Sequence, residues 1–199
     1  GHSASVNSVA VSGDFVVSGS RDKTVRCVDL KTGEEVWNYE GHSDPVNSVA
    51  VSGDFVVSGS DDGTVRCLDL KNGMPRDGNV QHGAAAGLDA SVLGARVTSV
   101  MIVHERRLAV AGCGNGTLGV FRLDDWRPIA TLVDQHTSAV YALATADDGD
   151  TLLSGSTKTV RTDLKALTSR GTIVASVKMD EYNDWFTRFM SLTSPRLAY

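Results

Sequence analysis

The feature that most constrains this chain is an internal repeat. Residues 1–33 recur at 41–73 with differences at six of 33 aligned positions, which gives a period of 40 residues. A third copy begins near His82 and is interrupted by an insertion at 83–95, and a fourth begins near His136. Chains with such periods fold as stacked units, because a single repeat cannot bury its own hydrophobic face.

Each copy has the pattern of short β-strands joined by turns. Val-Asn-Ser-Val-Ala-Val-Ser alternates, while Phe-Val-Val-Ser-Gly-Ser and Thr-Val-Arg-Cys-Val-Asp-Leu are rich in β-branched residues, and Glu-Glu-Val-Trp-Asn-Tyr-Glu closes the unit. Ser-Gly-Asp, Arg-Asp-Lys and Lys-Thr-Gly separate these segments and are typical of turns. The pattern predicts an all-β chain that forms a β-propeller, or a partial propeller, of about four blades, each a four-stranded antiparallel sheet.

The predicted blades occupy residues 1–178, and a different segment follows them. The blade boundaries are predicted at 1–40, 41–81, 82–134 and 135–178. Residues 179–199 are rich in aromatic side chains and predict a short helix that begins near Asp180. The apolar face of this helix is predicted to contain Tyr182, Trp185, Phe186, Phe189 and Met190. Packing on the propeller rim and docking into a groove of a partner protein both fit this helix, and we favour the first.

Several short motifs resemble those of the WD-repeat β-propeller family. They are the Gly-His dipeptides at 1–2 and 41–42, the Ser-Gly-Ser that precedes Asp22 and Asp62, and the Thr-Val-Arg-x-x-Asp-Leu endings. The resemblance extends over residues 1 to about 178 and is strongest in the first two copies. WD-repeat propellers usually have about seven blades and close by a strand that links the two ends of the chain.

The resemblance implies a structural hydrogen-bond network in each blade. In the WD-repeat family this network joins a His, a Ser or Thr, an Asp and a Trp. The matching positions in this chain are His2, Ser18, Asp22, His42, Ser58, Asp62, His82, Asn115, His136 and Ser154. Val28 and Leu68 stand where the family has Trp, so the network is expected to end at the Ser.

The resemblance also implies a partner-binding face. In the family this top face is built from the loops before the first strand and between the second and third strands. By position its residues are Ser5, Asn7, Arg21, Pro45, Asn47, Asp61, Arg96, Thr98 and Tyr141. Four of the six differences between the first two copies, at positions 4, 5, 21 and 23, fall in these loops. Drift of solvated loop tips and selection by a partner explain this equally well.

No group of residues has the spacing of a catalytic or metal site. Four of the five histidines recur once per repeat and are predicted to lie in separate blades, too far apart to share an ion. Cys27, Cys67 and Cys113 lack CxxC spacing and fit reduced thiols in the core. The Gly-rich run 112–116 lacks the Lys-Ser/Thr and the helix of a phosphate-binding loop. We therefore expect no catalytic residue, no metal and no cofactor.

Composition indicates a folded protein without a membrane span. The chain is 41% hydrophobic and 22% charged, as is typical of globular domains. No apolar run approaches the roughly 18 residues that cross a bilayer, and no leader peptide is visible. The net charge of −5 argues against nucleic acid as a direct ligand. We expect an intracellular protein, cytoplasmic in the first place, with nuclear and cytoskeletal or ciliary placement left open.

The function that these observations predict is a non-catalytic scaffold for other proteins or peptides, as a subunit of a larger multiprotein assembly. One alternative is a substrate-recognition module of the ubiquitin-ligase receptor type that binds acidic or phosphorylated peptides, and another is the regulatory domain of a larger enzyme. Four blades without a closing strand also predict an open arc with unpaired surfaces. A longer propeller, self-association of arcs and a partner that completes the ring all fit, and we favour the first.

Overall fold

The residues placed by a computed structural model of the chain form antiparallel sheets. The structure describes residues 1–76, 95–126, 128–133, 135–146, 149–164 and 177–178. Four sheets follow one another along the chain, and in each sheet neighbouring strands are consecutive in sequence. Each sheet is therefore a meander, and the four are called blades 1 to 4 below. The all-β propeller fold predicted from the sequence is confirmed.

The strands of each blade have the following bounds. Blade 1 contains β1 (Val6–Ser12), β2 (Phe15–Ser20), β3 (Val25–Asp29) and β4 (Glu35–Tyr39). Blade 2 contains β5 (Val46–Ser52), β6 (Phe55–Ser60) and β7 (Val65–Asp69). Blade 3 contains β8 (Val97–Val103), β9 (Leu108–Cys113), β10 (Leu118–Arg122) and β11 (Pro128–Leu132), with a 3₁₀ helix at His104–Arg106. Blade 4 contains β12 (Ala142–Ala146), β13 (Thr151–Gly155), β14 (Thr159–Asp163) and β15 (Val177–Lys178).

The outer edge of blade 2 is described only as far as residue 76. Its sheet has three strands within the described residues, and Pro75 forms a single antiparallel bridge with Leu68 where blade 1 has its fourth strand. Proline donates no backbone hydrogen bond, which suits an edge position. Residues 77–94 lie outside the described residues, so the predicted His82 and most of the insertion have no described structure. The same holds for Tyr182, Trp185, Phe186, Phe189 and Met190 in the C-terminal segment.

The hydrophobic core lies between the blades. One apolar cluster joins Val17 and Cys27 of blade 1 to Val46 of blade 2. Equivalent clusters lie between blades 2 and 3 and between blades 3 and 4. Each sheet thus buries its faces against its neighbours, as the repeat pattern predicts.

A glycine allows two blades to approach closely. A Cβ on Gly19 of β2 would lie 2.6 Å from a Val46 methyl and 3.0 Å from a Val49 methyl in β5. A Cβ on Gly59 of β6 would lie 2.5 Å from Val97 in β8. These separations are shorter than carbon atoms tolerate, so any side chain at these glycines would push the blades apart.

Trp37 in β4 connects the outer strand of blade 1 to blade 2 through a hydrogen bond. Its side chain is buried, and its indole Nε1–H donates a 2.8 Å hydrogen bond to the carbonyl of Leu70. Leu70 is itself buried in the cluster that the two blades share. The bond therefore satisfies a polar group that water does not reach.

We expect Trp37→Phe to lower the free energy of unfolding by about 1 to 3 kcal/mol, because it leaves the buried Leu70 carbonyl without this donor. Urea denaturation of both proteins measures the difference. Val36→Ala in the same strand is the control, since Val36 is 41% exposed and its loss should cost little. Equal stability of Trp37→Phe and the wild type would show that the bond contributes nothing.

Candidate interaction face

A histidine joins three segments in each of the first two blades. His42 places Nδ1 2.8 Å from Asp62 Oδ2 and Nε2 2.9 Å from Ser58 Oγ. His2 has the same contacts in blade 1, at 2.9 Å to Asp22 and 2.8 Å to Ser18. A carboxylate only accepts, so Nδ1 of each ring donates to the aspartate.

A threonine that the sequence analysis missed completes each network. Thr24 and Thr64 donate from Oγ1 to Oδ1 of Asp22 and Asp62 at 2.7 and 2.6 Å. Their backbone N–H groups donate to the same oxygens at 3.0 and 2.8 Å. The Asp-x-Thr spacing in both copies is the sequence signal, because Asp side chains commonly accept from the backbone two residues on. The threonine therefore extends the network at its aspartate end.

These hydrogen bonds control the charge of the two aspartates. Burial by itself would raise the pKa of Asp62, but donors from His42 and Thr64 outweigh it and hold the pKa well below its usual range. Burial would also raise the pKa of Asp22. Hydrogen bonds from Thr24, Ser3 and His2 outweigh it and hold this pKa well below its usual range. Both aspartates are therefore ionised throughout the neutral range.

Parts of the network are seen in the described residues of blades 3 and 4. Asn115 accepts the Thr117 N–H at 3.0 Å and so fixes the turn between β9 and β10 as the aspartates do in blades 1 and 2. His136 contacts Ser154 Oγ through Nε2 at 2.8 Å, and burial lowers the pKa of this histidine. The fourth blade thus keeps the His–Ser contact with a neutral ring.

The two loops of the predicted top face lie side by side. The backbone N–H of Arg21 donates to the Ser5 carbonyl at 2.9 Å, and that of Asp61 donates to the Pro45 carbonyl at 2.9 Å. In blade 3 the Gly114 N–H donates to the carbonyl of Arg96, also at 2.9 Å. Ser5, Arg21, Asp61 and Arg96 are exposed. Each blade from 1 to 3 thus presents one tip built from two loops.

Three other residues predicted for this face bind the neighbouring blade. Asn7 Nδ2 donates to the Val46 carbonyl at 2.9 Å, and Asn47 Nδ2 donates to the Val97 carbonyl at 2.9 Å. Thr98 Oγ1 donates to the Val140 carbonyl in the same way. Tyr141, at the matching position of blade 4, is 68% exposed. The predicted set therefore divides into exposed tips and residues that brace blade junctions, and its partner-binding role stays a prediction.

The described cysteines are poorly suited to nucleophilic chemistry. Cys27, Cys67 and Cys113 are buried and free of disulfides. Burial, with the nearby Asp29, raises the pKa of Cys27 to about 11, and burial raises the pKa of Cys113 to about 12. Both thiols are therefore protonated at neutral pH, whereas a nucleophile must be a thiolate.

Two further features are absent from the described ranges. No group of three His, Cys, Asp or Glu side chains there is placed to hold a metal ion. No helix in the same ranges is long and apolar enough to cross a membrane.

Comparison with known proteins gives a family and two structural neighbours. The family model described as outer membrane protein assembly factor BamB (PQQ_2) matches residues 2–160. The computationally designed Ika8 protein is similar, with a TM-score of 0.65 and 26% identity over 78% of this chain and 44% of that chain. The computationally designed Ika4 protein has a TM-score of 0.66 and 24% identity over 90% of this chain and 94% of that one. Among curated proteins none matches.

These findings agree with the propeller-type repeat seen in the sheets. This chain spans 44% of the length of the designed Ika8 chain. The matching family model is a propeller-type repeat, so the broader part of the expected resemblance is confirmed. The narrower assignment to the WD-repeat family stays a prediction.

We expect Asp62→Ala to lower the free energy of unfolding by about 1 to 3 kcal/mol, because the buried His42 and the half-buried Thr64 lose their acceptor. Asp22→Ala should act in the same direction in blade 1. Asp54→Ala is the matched control, because Asp54 is exposed in a turn, where its ion pair with Lys71 contributes little. Thermal melts that do not differ among the three variants would contradict a structural role for the network.

Acid should destabilise the chain in two separate pH ranges. The folded-state pKa of His136 lies below its unfolded value of about 6.5, so stability present at higher pH is lost as pH falls below that value. The folded-state pKa values of Asp22 and Asp62 lie below their unfolded value of about 3.9, so their contribution is lost only in stronger acid.

Urea denaturation from pH 8 to pH 3 measures both ranges. We expect His136→Gln to flatten the upper range and Asp62→Asn to flatten the lower one. If each variant shows the full wild-type loss of stability in its own range, the assignment of that range is wrong.

Proposed function

Because the chain belongs to the propeller-type repeat family described as outer membrane protein assembly factor BamB, we propose that it is a non-catalytic scaffold that binds other proteins within a larger assembly. The observation that carries this proposal is that blades 1 and 2 share the same hydrogen-bond network but differ in their loop tips. The His–Asp–Ser–Thr network is the same in blades 1 and 2, yet four of the six differences between their sequences lie at the loop tips. Variable loops on a rigid frame are a common basis for binding sites.

The charges on the tips favour a protein partner. Arg21, Asp61 and Arg96 are exposed on consecutive blades, so the sign of the charge alternates along the arc. A protein surface with a matching mixed pattern can complement such a face. A uniformly charged polyanion such as nucleic acid would meet Asp61 unfavourably.

Recognition of an acidic or phosphorylated peptide is a narrower form of the same proposal. Arg21 and Arg96 supply the guanidinium groups that such a peptide requires. Asp61 lies on the blade between them and opposes a ligand that spans both. The intracellular placement and the absence of an activity of its own remain part of the proposal.

An exchange of tip charges between two blades tests this function. The double variant Arg21→Asp/Asp61→Arg keeps the net charge and composition of the face but reverses its order. We expect it to lose the partners that the wild-type chain captures from native cell extract, measured by quantitative mass spectrometry. The melting temperature should fall only slightly, because the exchange removes one exposed hydrogen bond, from Asn47 to Asp61.

The matched control exchanges charges at the other end of the first blade. Asp14 and Lys31 form an exposed 2.6 Å ion pair between the β1–β2 turn and the β3–β4 turn. Asp14→Lys/Lys31→Asp should retain the captured partners. If partners are still captured by Arg21→Asp/Asp61→Arg but not by Asp14→Lys/Lys31→Asp, the binding face lies at the opposite end of the blades.

A further inference from the structure

Two asparagines of this chain are followed by glycine, each in a turn that comes after a strand. Asn72–Gly73 lies after β7, and Asn115–Gly116 lies after β9. The side-chain amide of asparagine can react with the backbone nitrogen of the next residue, and glycine favours this reaction because it has no side chain to hinder ring closure. Blade 1 has Thr32–Gly33 at the position of Asn72–Gly73, and threonine has no amide. The two copies therefore differ in chemistry at an equivalent turn.

The side chain of Asn72 is exposed and close to the nitrogen with which it can react. Its Oδ1 accepts the Met74 N–H at 2.9 Å, and this contact closes a ring of atoms that includes the Gly73 nitrogen. The Met74 N–H also lies where negative charge develops on Oδ1 during attack on Cγ, and a donor at that place lowers the barrier. Among the described residues, Nδ2 of Asn72, which has to leave, has no hydrogen-bond acceptor.

The backbone around the second pair leaves less room for the reaction. Gly116 is buried, whereas Gly73 is half-buried. A Cβ on Gly116 would lie 2.1 Å from the carbonyl oxygen of His136, while the atoms nearest to Gly73 belong to the Trp37 side chain. Rotation at Gly116 would therefore displace the backbone of the loop that leads into blade 4. The structure favours reaction at Asn72, although the two pairs look alike in sequence.

We propose that Asn72 is a site of spontaneous deamidation. The Gly73 nitrogen forms a bond to Cγ of Asn72, the bond from Cγ to Nδ2 breaks, and Nδ2 leaves as ammonia with the proton that the Gly73 nitrogen gives up. Water then opens the resulting five-membered succinimide at either of its two carbonyl carbons. One product is aspartate at position 72. The other is isoaspartate, in which the chain runs through the side-chain carbons and gains one backbone atom.

The folded turn sets the rate of this reaction. The Gly73 N–H donates to the Asp69 carbonyl at 2.9 Å, and the Asp69 N–H donates to the Met74 carbonyl at 2.8 Å. The first of these bonds has to break before the Gly73 nitrogen can attack. The reaction therefore proceeds from a locally opened turn and is slower in the folded chain than in the unfolded chain.

The isoaspartate product does not fit the junction between blades 1 and 2. A Cβ on Gly73 would lie 2.7 Å from the Trp37 ring, so an additional backbone atom has no space there. The same ring donates the hydrogen bond to the Leu70 carbonyl across this junction. Isoaspartate at position 72 should therefore weaken the junction. Aspartate keeps the normal backbone and can accept the Met74 N–H as Asn72 does, so it should have little effect.

A time course at neutral pH tests the site. The whole chain is incubated with and without urea, and peptide mapping by mass spectrometry follows the exchange of NH for O at each asparagine. In the folded chain we expect Asn72 to convert several-fold faster than Asn115. In urea both should convert faster than in the folded chain and at similar rates. Asn38 is the matched control, because it is also exposed but is followed by Tyr39, whose side chain hinders ring closure.

Thermal melts of the aged protein test the effect on the junction. Ion exchange separates the aged species, since each product carries one additional negative charge. We expect the isoaspartate species to melt at a lower temperature than the fresh protein. Asn72→Asp should melt close to the fresh protein, because it adds the charge without the backbone atom. Asn72→Thr, which copies blade 1, should keep its melting temperature during the same incubation.

Three results would overturn the proposal. If Asn72 stays intact in the folded chain for as long as the chain in urea takes to convert, the folded turn does not open and the site is closed. If Asn115 converts first in the folded chain, packing at the glycine does not select the site. An isoaspartate species that melts like the fresh protein would show that the modification leaves the junction unchanged.

Discussion

The close approach of neighbouring sheets at a glycine is the constraint on which the rest of this structure depends. Gly19, Gly59 and Gly112 leave space for valine side chains of the following blade, and no larger residue does so. Those valines bring the apolar faces into contact and create the clusters between blades. The fold is thus stabilised at the junctions between blades, where each sheet contributes one half of a core.

The histidine network has a different task, because it fixes loops within a blade. Its ring bonds through both nitrogens and so couples the entry loop, the second strand and the turn after it. The aspartate in that turn is ionised and accepts from four groups in blade 1, which include the backbone of Ser3. Rigid tips on a rigid frame reduce the entropy lost when a partner binds.

Much of this could be predicted from the sequence, because a 40-residue period and alternating strands report directly on local structure. The positions of His42, Ser58 and Asp62 in the network, and of Arg21 and Asp61 in the loops, came from the resemblance of the repeats to the WD-repeat family. The braces at Asn7 and Asn47 could not be predicted, since their acceptors belong to the next repeat. The contacts of Val46 and Val49 with Gly19 were equally hidden, because those residues lie in different repeats.

Three of the side-chain hydrogen bonds between blades point forward along the chain. Asn7, Trp37 and Thr98 each donate to a carbonyl in the blade that follows in sequence. During synthesis a blade therefore leaves the ribosome before its acceptors exist, and the next repeat of 40 residues must follow. At typical elongation rates this delay is about 2 to 8 s, so the growing chain always ends in one unfinished junction that a ribosome-associated chaperone can shield.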